Sequence, residues 1–334
     1  MTTYLIAVLT EGAIFGIMAL GLNVIWGWSG DFDLAYYGYI AVGAYMTIVL
    51  TVGPPVAPAQ YIIGQSLPYP LAVVLAVITA MAVALVVGSI ALRHLRGIYF
   101  SIVTLGAVYV MYVFAGQYVP LFDGYNGLSG LFDPMGDWFG LDYFSYQYFF
   151  LGLSLVMFAL VYFVMSRVSS SRFGMALRTL REDERAAAAF GRDIYRLKLK
   201  GYVLGAALGG FAGALFAAYL TAFNTSAWSP VEVIVLYSAV LVGGRGNIRG
   251  VVLGVLIMGL IVNESTRFLP QLPLPGLSAF DTLHPQVLQA ARGGIIGLVL
   301  VLFLRFRPQG LLPERRFVDR SPATPAIEPA PLAS

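Results

Sequence analysis

The stretch SRVSSSRFGMALRTLREDERAAAAFGRDIYRLKLK, Ser166 to Lys200, decides how the whole chain is read. It carries nine of the twenty Lys and Arg residues and four of the seventeen acids. The sequence on either side of it is greasy. A charged island inside so apolar a chain is where a membrane-buried protein meets something in water. The island also has the marks of a folded helix. Gly174 opens it, MALRTLREDERAAAAF follows, and Gly191 lies just past the end, where a C-terminal glycine is favoured. Arg178, Arg181, Glu182 and Arg185 lie on solvent-facing turns with opposite-charge neighbours three or four residues away. Phe173, Leu177 and Leu180 give an apolar edge, and Ala186 and Ala187 begin a run of four alanines that another protein could approach. A loop that only fixes topology needs a few basic residues and no caps, so residues 174–191 read as a docking element.

Working outward, the 334-residue chain is 59% hydrophobic and 11% charged, against about 25% charged in soluble domains. With a mean hydropathy of +0.80, this composition belongs in a bilayer. No basic patch is interleaved with aromatics, which argues against nucleic acid as a partner. The absence of cysteine excludes disulfides, thiolate catalysis and Cys-ligated metals. The N-terminal stretch has no basic n-region and no small-residue cleavage site, so it reads as a retained first span. A span needs about 20 mostly apolar residues. Candidates are 4–26, 32–52, 70–92, 98–120, 144–165, 201–222, 231–243, 250–268 and 289–306. The second and seventh read as broken or re-entrant, which gives eight to ten segments. The expected fold is an all-α, polytopic transmembrane bundle over 1–307, with 166–200 as a cytoplasmic loop and a Pro-rich, disordered tail over 308–334.

Lys and Arg in the short loops set the orientation. Arg93 and Arg96, the island, Arg245 and Arg249, and Arg305, Arg307, Arg315 and Arg316 all fall on one side if every span crosses. The 121–143 loop instead carries Asp123, Asp133, Asp137 and Asp142, and the 269–288 loop carries Asp281, with no basic residue in either. The basic side is the cytoplasm, and the N-terminus lies outside if 32–52 crosses. The 27–31 turn has no basic residue to fix that point.

The chemistry of enzymes is hard to find. There is no GxxxxGK[ST] phosphate loop, and no HExxH or GxSxG motif. His94 and His284 lie in loops on opposite predicted sides, so no metal site is expected. Polar groups inside spans are functional candidates because they are costly there. Glu11 and Asn23 on the first span could line a path, or bond between helices. Gln117, Glu232, Asn263 and Glu264 stand near interfaces, and Glu264 can pair with Arg267. Tyr36, Tyr37, Tyr39 and Tyr45 could line a substrate route, or mark the membrane interface. Gly201, Gly205, Gly209 and Gly213, four apart, form a stripe that lets helix backbones approach closely.

Taken together, GLNVIWGWSGDFDLAYYGYIAVGAY (21–45), LRGIYFSIVTLG (95–106), NGLSG (126–130), the 171–199 segment, GGFAGALFA (209–217), VLVGGRGNIRGVVLG (240–254) and FRPQGLL (306–312) carry a resemblance. From about 20 to 312 the chain resembles the membrane permeases of branched-chain amino acid ABC importers, of the LivM type. The resemblance implies a transport subunit and not an enzyme, without a cofactor. It would sit in the inner membrane of a bacterium beside a second permease of the LivH type, two cytoplasmic ATPases and a substrate-binding protein. The segment matching Gly174 to Gly191 would contact the ATPase. Asn126 falls in NGLSG, which fits the amino-acid branch, while RGIYFSIVTLG is also similar to permeases for urea. The chain departs from the pattern at Asp31, Asp33, Tyr36 and Tyr37, at Ile98, and at Arg245 and Arg249, which leaves the carried solute open between branched-chain or related neutral amino acids and urea or short amides.

Overall fold

A helix studded with Gly and Ala can touch its neighbours backbone to backbone, and the structure is built around the one in this chain that does so most. The computed structural model describes residues 2–54, 64–131, 133–189, 191–228, 232–262, 285–307 and 309–314. Asn263, Glu264, Arg267, Asp281, His284, Arg315 and Arg316 lie outside the described residues. Besides two single-turn helices at Val119–Phe122 and Gly136–Phe139, the α-helices are α1 (Thr2–Leu22), α2 (Tyr36–Thr51), α3 (Tyr69–His94), α4 (Ile98–Gln117), α5 (Tyr143–Ser170), α6 (Arg172–Glu182), α7 (Glu184–Ala189), α8 (Ile194–Leu220), α9 (Val233–Gly243), α10 (Ile248–Val255) and α11 (Pro285–Phe306). Over its described residues, each of the nine sequence-predicted spans falls on helix, the eighth as far as 262. Among the described residues, five helices are long and apolar enough to cross a membrane. The seventh span is short: α9, with eleven residues, covers about 16 Å of an approximately 30 Å hydrocarbon layer.

Helix α8 stands at the centre, against α1, α2 and α3. Its glycine stripe is spent on these contacts. A Cβ on Gly205 would lie 2.5 Å from Ile25 Cγ1 and 2.8 Å from the Gly21 carbonyl oxygen, and one on Gly209 would meet the Tyr36 ring at 3.3 Å. On Gly213 it would run into the Ile40 carbonyl, and on Gly201 it would meet only the tip of Leu177 at 3.1 Å. The outer helices show the reverse pattern, small residues inward and bulky ones outward. In α3, Ala72, Ala76, Ala80 and Ala84 are buried at every fourth position, while Leu71, Val74, Ile78 and Leu85 are exposed. Exposed Val156, Leu160 and Phe163 on α5 and Val110 on α4 continue this apolar surface. A jacket of that extent belongs in lipid.

The tyrosines of α2 are inside the core of this chain. Tyr36, Tyr39 and Tyr45 are 0–2% exposed. Tyr36 Oη donates to the Met18 carbonyl at 2.7 Å, and Tyr39 and Tyr202 share a hydrogen bond of 2.6 Å. A hydroxyl buried in the core needs such a partner, which ties each ring to one place. At the acidic end, Leu128–Ser129 and Ala222–Phe223 form a two-residue antiparallel pair, Leu128 opposite Phe223. Gly127 starts it at φ +76, with the backbone of Asn224 so close that no side chain fits, which accounts for the second residue of NGLSG.

The basic loops meet at the other end, as their charges predicted. Arg96 pairs with Glu184, Arg178 donates to the Gly246 carbonyl, and Leu311 and Leu312 donate their N–H groups to Val242 and Gly243. The 27–31 turn, which had no basic residue of its own, joins them: Lys198 reaches Asp31 at 2.6 Å. Helix α1 therefore runs toward the basic end, and α2 runs away from it. The folded part also extends beyond 307. Residues 309–314, expected in a disordered tail, are bonded to the α9–α10 turn because Gly310, at φ +76, lies against Gly244 with no room for a side chain.

Candidate functional site

The charged island forms two helices where the sequence predicted one. Ser171 caps α6 by accepting from the Gly174 N–H at 3.4 Å. Gly174 is required at this corner, since a Cβ would stand 2.5 Å from the Val168 carbonyl oxygen and 2.7 Å from that of Ser169. Asp183 ends α6 in extended backbone, and its carboxylate accepts from the N–H groups of Arg185 and Ala186 at 2.8 and 3.0 Å. An Asp that caps a second helix competes with continuation of the first, and that is the reason for the break. Gly191 closes the island at φ +72, its N–H bonded to the Ala188 carbonyl, as the C-terminal glycine reading expected.

The two faces of α6 do different work. Leu177 and Leu180 are buried against the bundle, and Ala176 nearly so. Arg178 and Arg181, expected on solvent-facing turns, also point inward. Arg178 Nε lies 2.6 Å from Glu314 Oε1, and Arg181 Nη2 lies 2.6 Å from Glu314 Oε2. Arg178 also bonds to Ser169 and to the Gly246 carbonyl, with its guanidinium 5.5 Å from the Trp28 ring. Arg181 reaches the Gly27 carbonyl, its stem crossing Gly30. The intrahelical pairing of Arg178 with Glu182 suggested by the spacing gives way to these longer-range partners. Two half-buried carboxylate contacts and rigid guanidinium forks hold more tightly than an exposed i, i+4 pair. The opposite face stays open: Met175, Thr179, Glu182, Arg185, Ala188 and Ala189 are exposed, Ala186 is half-buried and Ala187 is buried.

The surface that receives α6 is the end of α1. There the chain passes into a π-helical segment, Asn23–Trp28, a geometry often found at working sites. Asn23 is fully buried and its Oδ1 accepts from the Gly246 N–H at 2.8 Å. Beside it, Lys198 lies between two carboxylates, 2.6 Å from Asp31 Oδ1 and 2.6 Å from Glu184 Oε1. Burial holds the Asp31 carboxyl above the usual range, against the opposing pull of Lys198. Asp33, fully buried two residues on, accepts from the Ala35 N–H at 3.0 Å and from Tyr202 Oη at 3.2 Å.

Of the residues expected to line a path, the structure leaves two accessible: Glu11, half-buried on α1, and Asn126, exposed before the short strand. Asn23, Tyr36 and Tyr37 are sealed in. Sequence reasoning missed Glu314, which it placed in the tail, and the bridging role of Lys198. It had noted Asp31 and Asp33 only as departures from a pattern. An acid in so apolar a segment needs a cation somewhere, and that was the available signal.

The comparisons with known proteins agree with this architecture. The model of the family described as branched-chain amino acid transport system / permease component matches residues 4–304. The LivM permease protein of the high-affinity branched-chain amino acid transport system of Escherichia coli K12 is 31% identical over 323 residues, covering 91% of this chain and 68% of that protein. A probable branched-chain amino acid transport permease protein LivM from Methanocaldococcus jannaschii is 28% identical, covering 73% and 69%. The LivH permease protein of Escherichia coli K12 is 26% identical, covering 78% and 84%. No solved structure matches the chain. With the match running through nearly every described helix, the chain belongs to the branched-chain amino acid transport system / permease component family, as a multi-pass membrane permease.

Proposed function

We propose that this chain is one permease subunit of an ATP-driven importer for branched-chain or related neutral amino acids in the cytoplasmic membrane of a bacterium. A second permease of the LivH type stands beside it, two cytoplasmic ATPases hydrolyse the ATP, and a substrate-binding protein delivers the solute. The observation that carries this reading is the split of α6 and α7 into an anchored face and an open one. Leu177, Leu180, Arg178 and Arg181 fix the helix to the bundle, while Met175, Thr179, Glu182 and Arg185 are presented to water on the basic side. A helix rigidly held on one side and exposed on the other can receive a push and pass it on. Glu11 and Asn126 are the residues from the sequence reading with access to a solute path.

The test is made on the outer face, because Arg178 belongs to the anchor. Glu182→Ala with Arg185→Ala, in cells expressing the full set of subunits, is expected to leave the protein in the membrane and to abolish ATP-driven leucine uptake. The ATPases should no longer co-purify. Wild-type uptake by this variant refutes the docking role. Uptake by the purified chain alone on an ion gradient would make it a secondary transporter, and uptake of urea in preference to leucine would move the substrate to the amide branch.

A further inference from the structure

We infer that Glu314 is a positioning residue that carries movement of α6 into the α9–α10 hairpin. The inference rests on the reading above, in which α6 receives the motion of a partner ATPase. The carboxylate spends both oxygens on α6, Oε1 on Arg178 and Oε2 on Arg181, each at 2.6 Å, with all three side chains about one-fifth exposed. The two arginines are three apart, so they share a face across one turn. A group gripped at two points follows a helix when it tilts as well as when it slides, and the planar guanidinium forks keep that geometry.

The segment that bears Glu314 is itself fastened to the hairpin. Leu311 and Leu312 donate to the Val242 and Gly243 carbonyls at 2.9 and 3.0 Å. Asn247 Nδ2 donates to the Leu312 carbonyl at 3.1 Å. The hairpin turn then reaches the interior through the bond from the Gly246 N–H to buried Asn23. Residues 309–314 therefore form a strap from the docking helix to the turn, and the turn is tied to the end of α1. Direct packing does not replace this strap on its outer side. A cavity of about 740 Å³, bordered by Ser166, Ser170, Met175, Asn247, Arg249 and Pro313, separates α6 from the start of α10. Across that gap the polar ties of Arg178 and Glu314 make the connection.

The experiment compares the wild-type complex with Glu314→Gln and Glu314→Asp, reconstituted with ATPases, second permease and binding protein in liposomes, and reads leucine taken up per ATP hydrolysed. If the wild-type complex shows no ATP-driven uptake, the importer reading fails, and this inference falls with it. If it does, Glu314→Gln is expected to retain its ATPases on purification and to hydrolyse ATP. Its uptake per ATP should fall by about fivefold or more, the low end of what coupling between two sites is worth. Glu314→Asp keeps the charge but cannot span both arginines, and should fall between the two. An unchanged ratio in Glu314→Gln overturns the inference. So does loss of the ATPases, or a parallel fall in uptake and hydrolysis, either of which would make Glu314 a stability residue only. Should the Glu314→Gln chain fail to fold into the membrane at all, Glu314→Asp decides alone: a wild-type ratio there overturns the inference.

Discussion

Replacing Gly213 with alanine adds a single methyl group at the closest approach of α8 and α2, and its cost can be worked out from the structure. The new Cβ would enter the Ile40 carbonyl, 2.8 Å from its carbon and 3.1 Å from the Ala44 nitrogen. Carbon atoms settle at about 3.5–4.0 Å, so the helices must part by about 1 Å. Both neighbouring groups are backbone and cannot rotate aside. Overpacking of this kind costs about 1–3 kcal/mol, and a gap of about 1 Å forfeits a quarter to a half of each contact along the seam. Alanine returns about 1 kcal/mol of helix propensity, which leaves a net loss of up to about 2 kcal/mol. Gly152 on α5 is the control, because a Cβ there meets nothing within 4 Å, and alanine should stabilise by about 1 kcal/mol. Gly209, where the Cβ would meet the Tyr36 ring at 3.3 Å, should fall between them. The assay is thermal unfolding of the purified protein in one detergent, with the order of midpoints Gly152→Ala above Gly209→Ala above Gly213→Ala. Equal midpoints for Gly213→Ala and Gly152→Ala would mean that α2 and α8 are not in contact there, and the reasoning would fail.

Other consequences are as specific. Lys198→Ala leaves Asp31 and Glu184 without their shared cation and should cost about 3 kcal/mol, whereas Lys198→Met with Asp31→Leu should recover most of that loss; denaturant titration distinguishes the two, and equal losses would refute the charge argument. Asn23→Ala strands the buried Gly246 N–H and should destabilise by about 1–3 kcal/mol with the KM for uptake unchanged. A changed KM at full stability would return Asn23 to the solute path.

Much of the architecture was legible along the chain, for reasons that are local. Over the described residues the apolar stretches fall on helices because a backbone in lipid must satisfy its own hydrogen bonds, whatever its neighbours. Loop charge placed the basic ends together, and Gly191 ended the island because a left-handed residue is needed there. The failures share a cause of the opposite kind. The reading stopped the folded unit at 307 because Pro and low apolar content describe a segment, not the hairpin it docks on. It turned Arg178 and Arg181 outward because intrahelical spacing shows neighbours within a helix and not a carboxylate 133 residues away. Asp183, inside the stretch that reads as one helix, is the cap that breaks it.

The sequence alone determined that this is a polytopic helical membrane protein, which of its ends is basic, and that its charged island is helical. Those properties follow from composition and from periodicities of a few residues, which act before any tertiary contact forms. Only the tertiary structure decided which face of the island is free, where the 27–31 turn lies, and which acids answer the buried cations. An ion pair is chosen by distance in space, and at a given spacing along the chain that distance is set by how the helices between them pack.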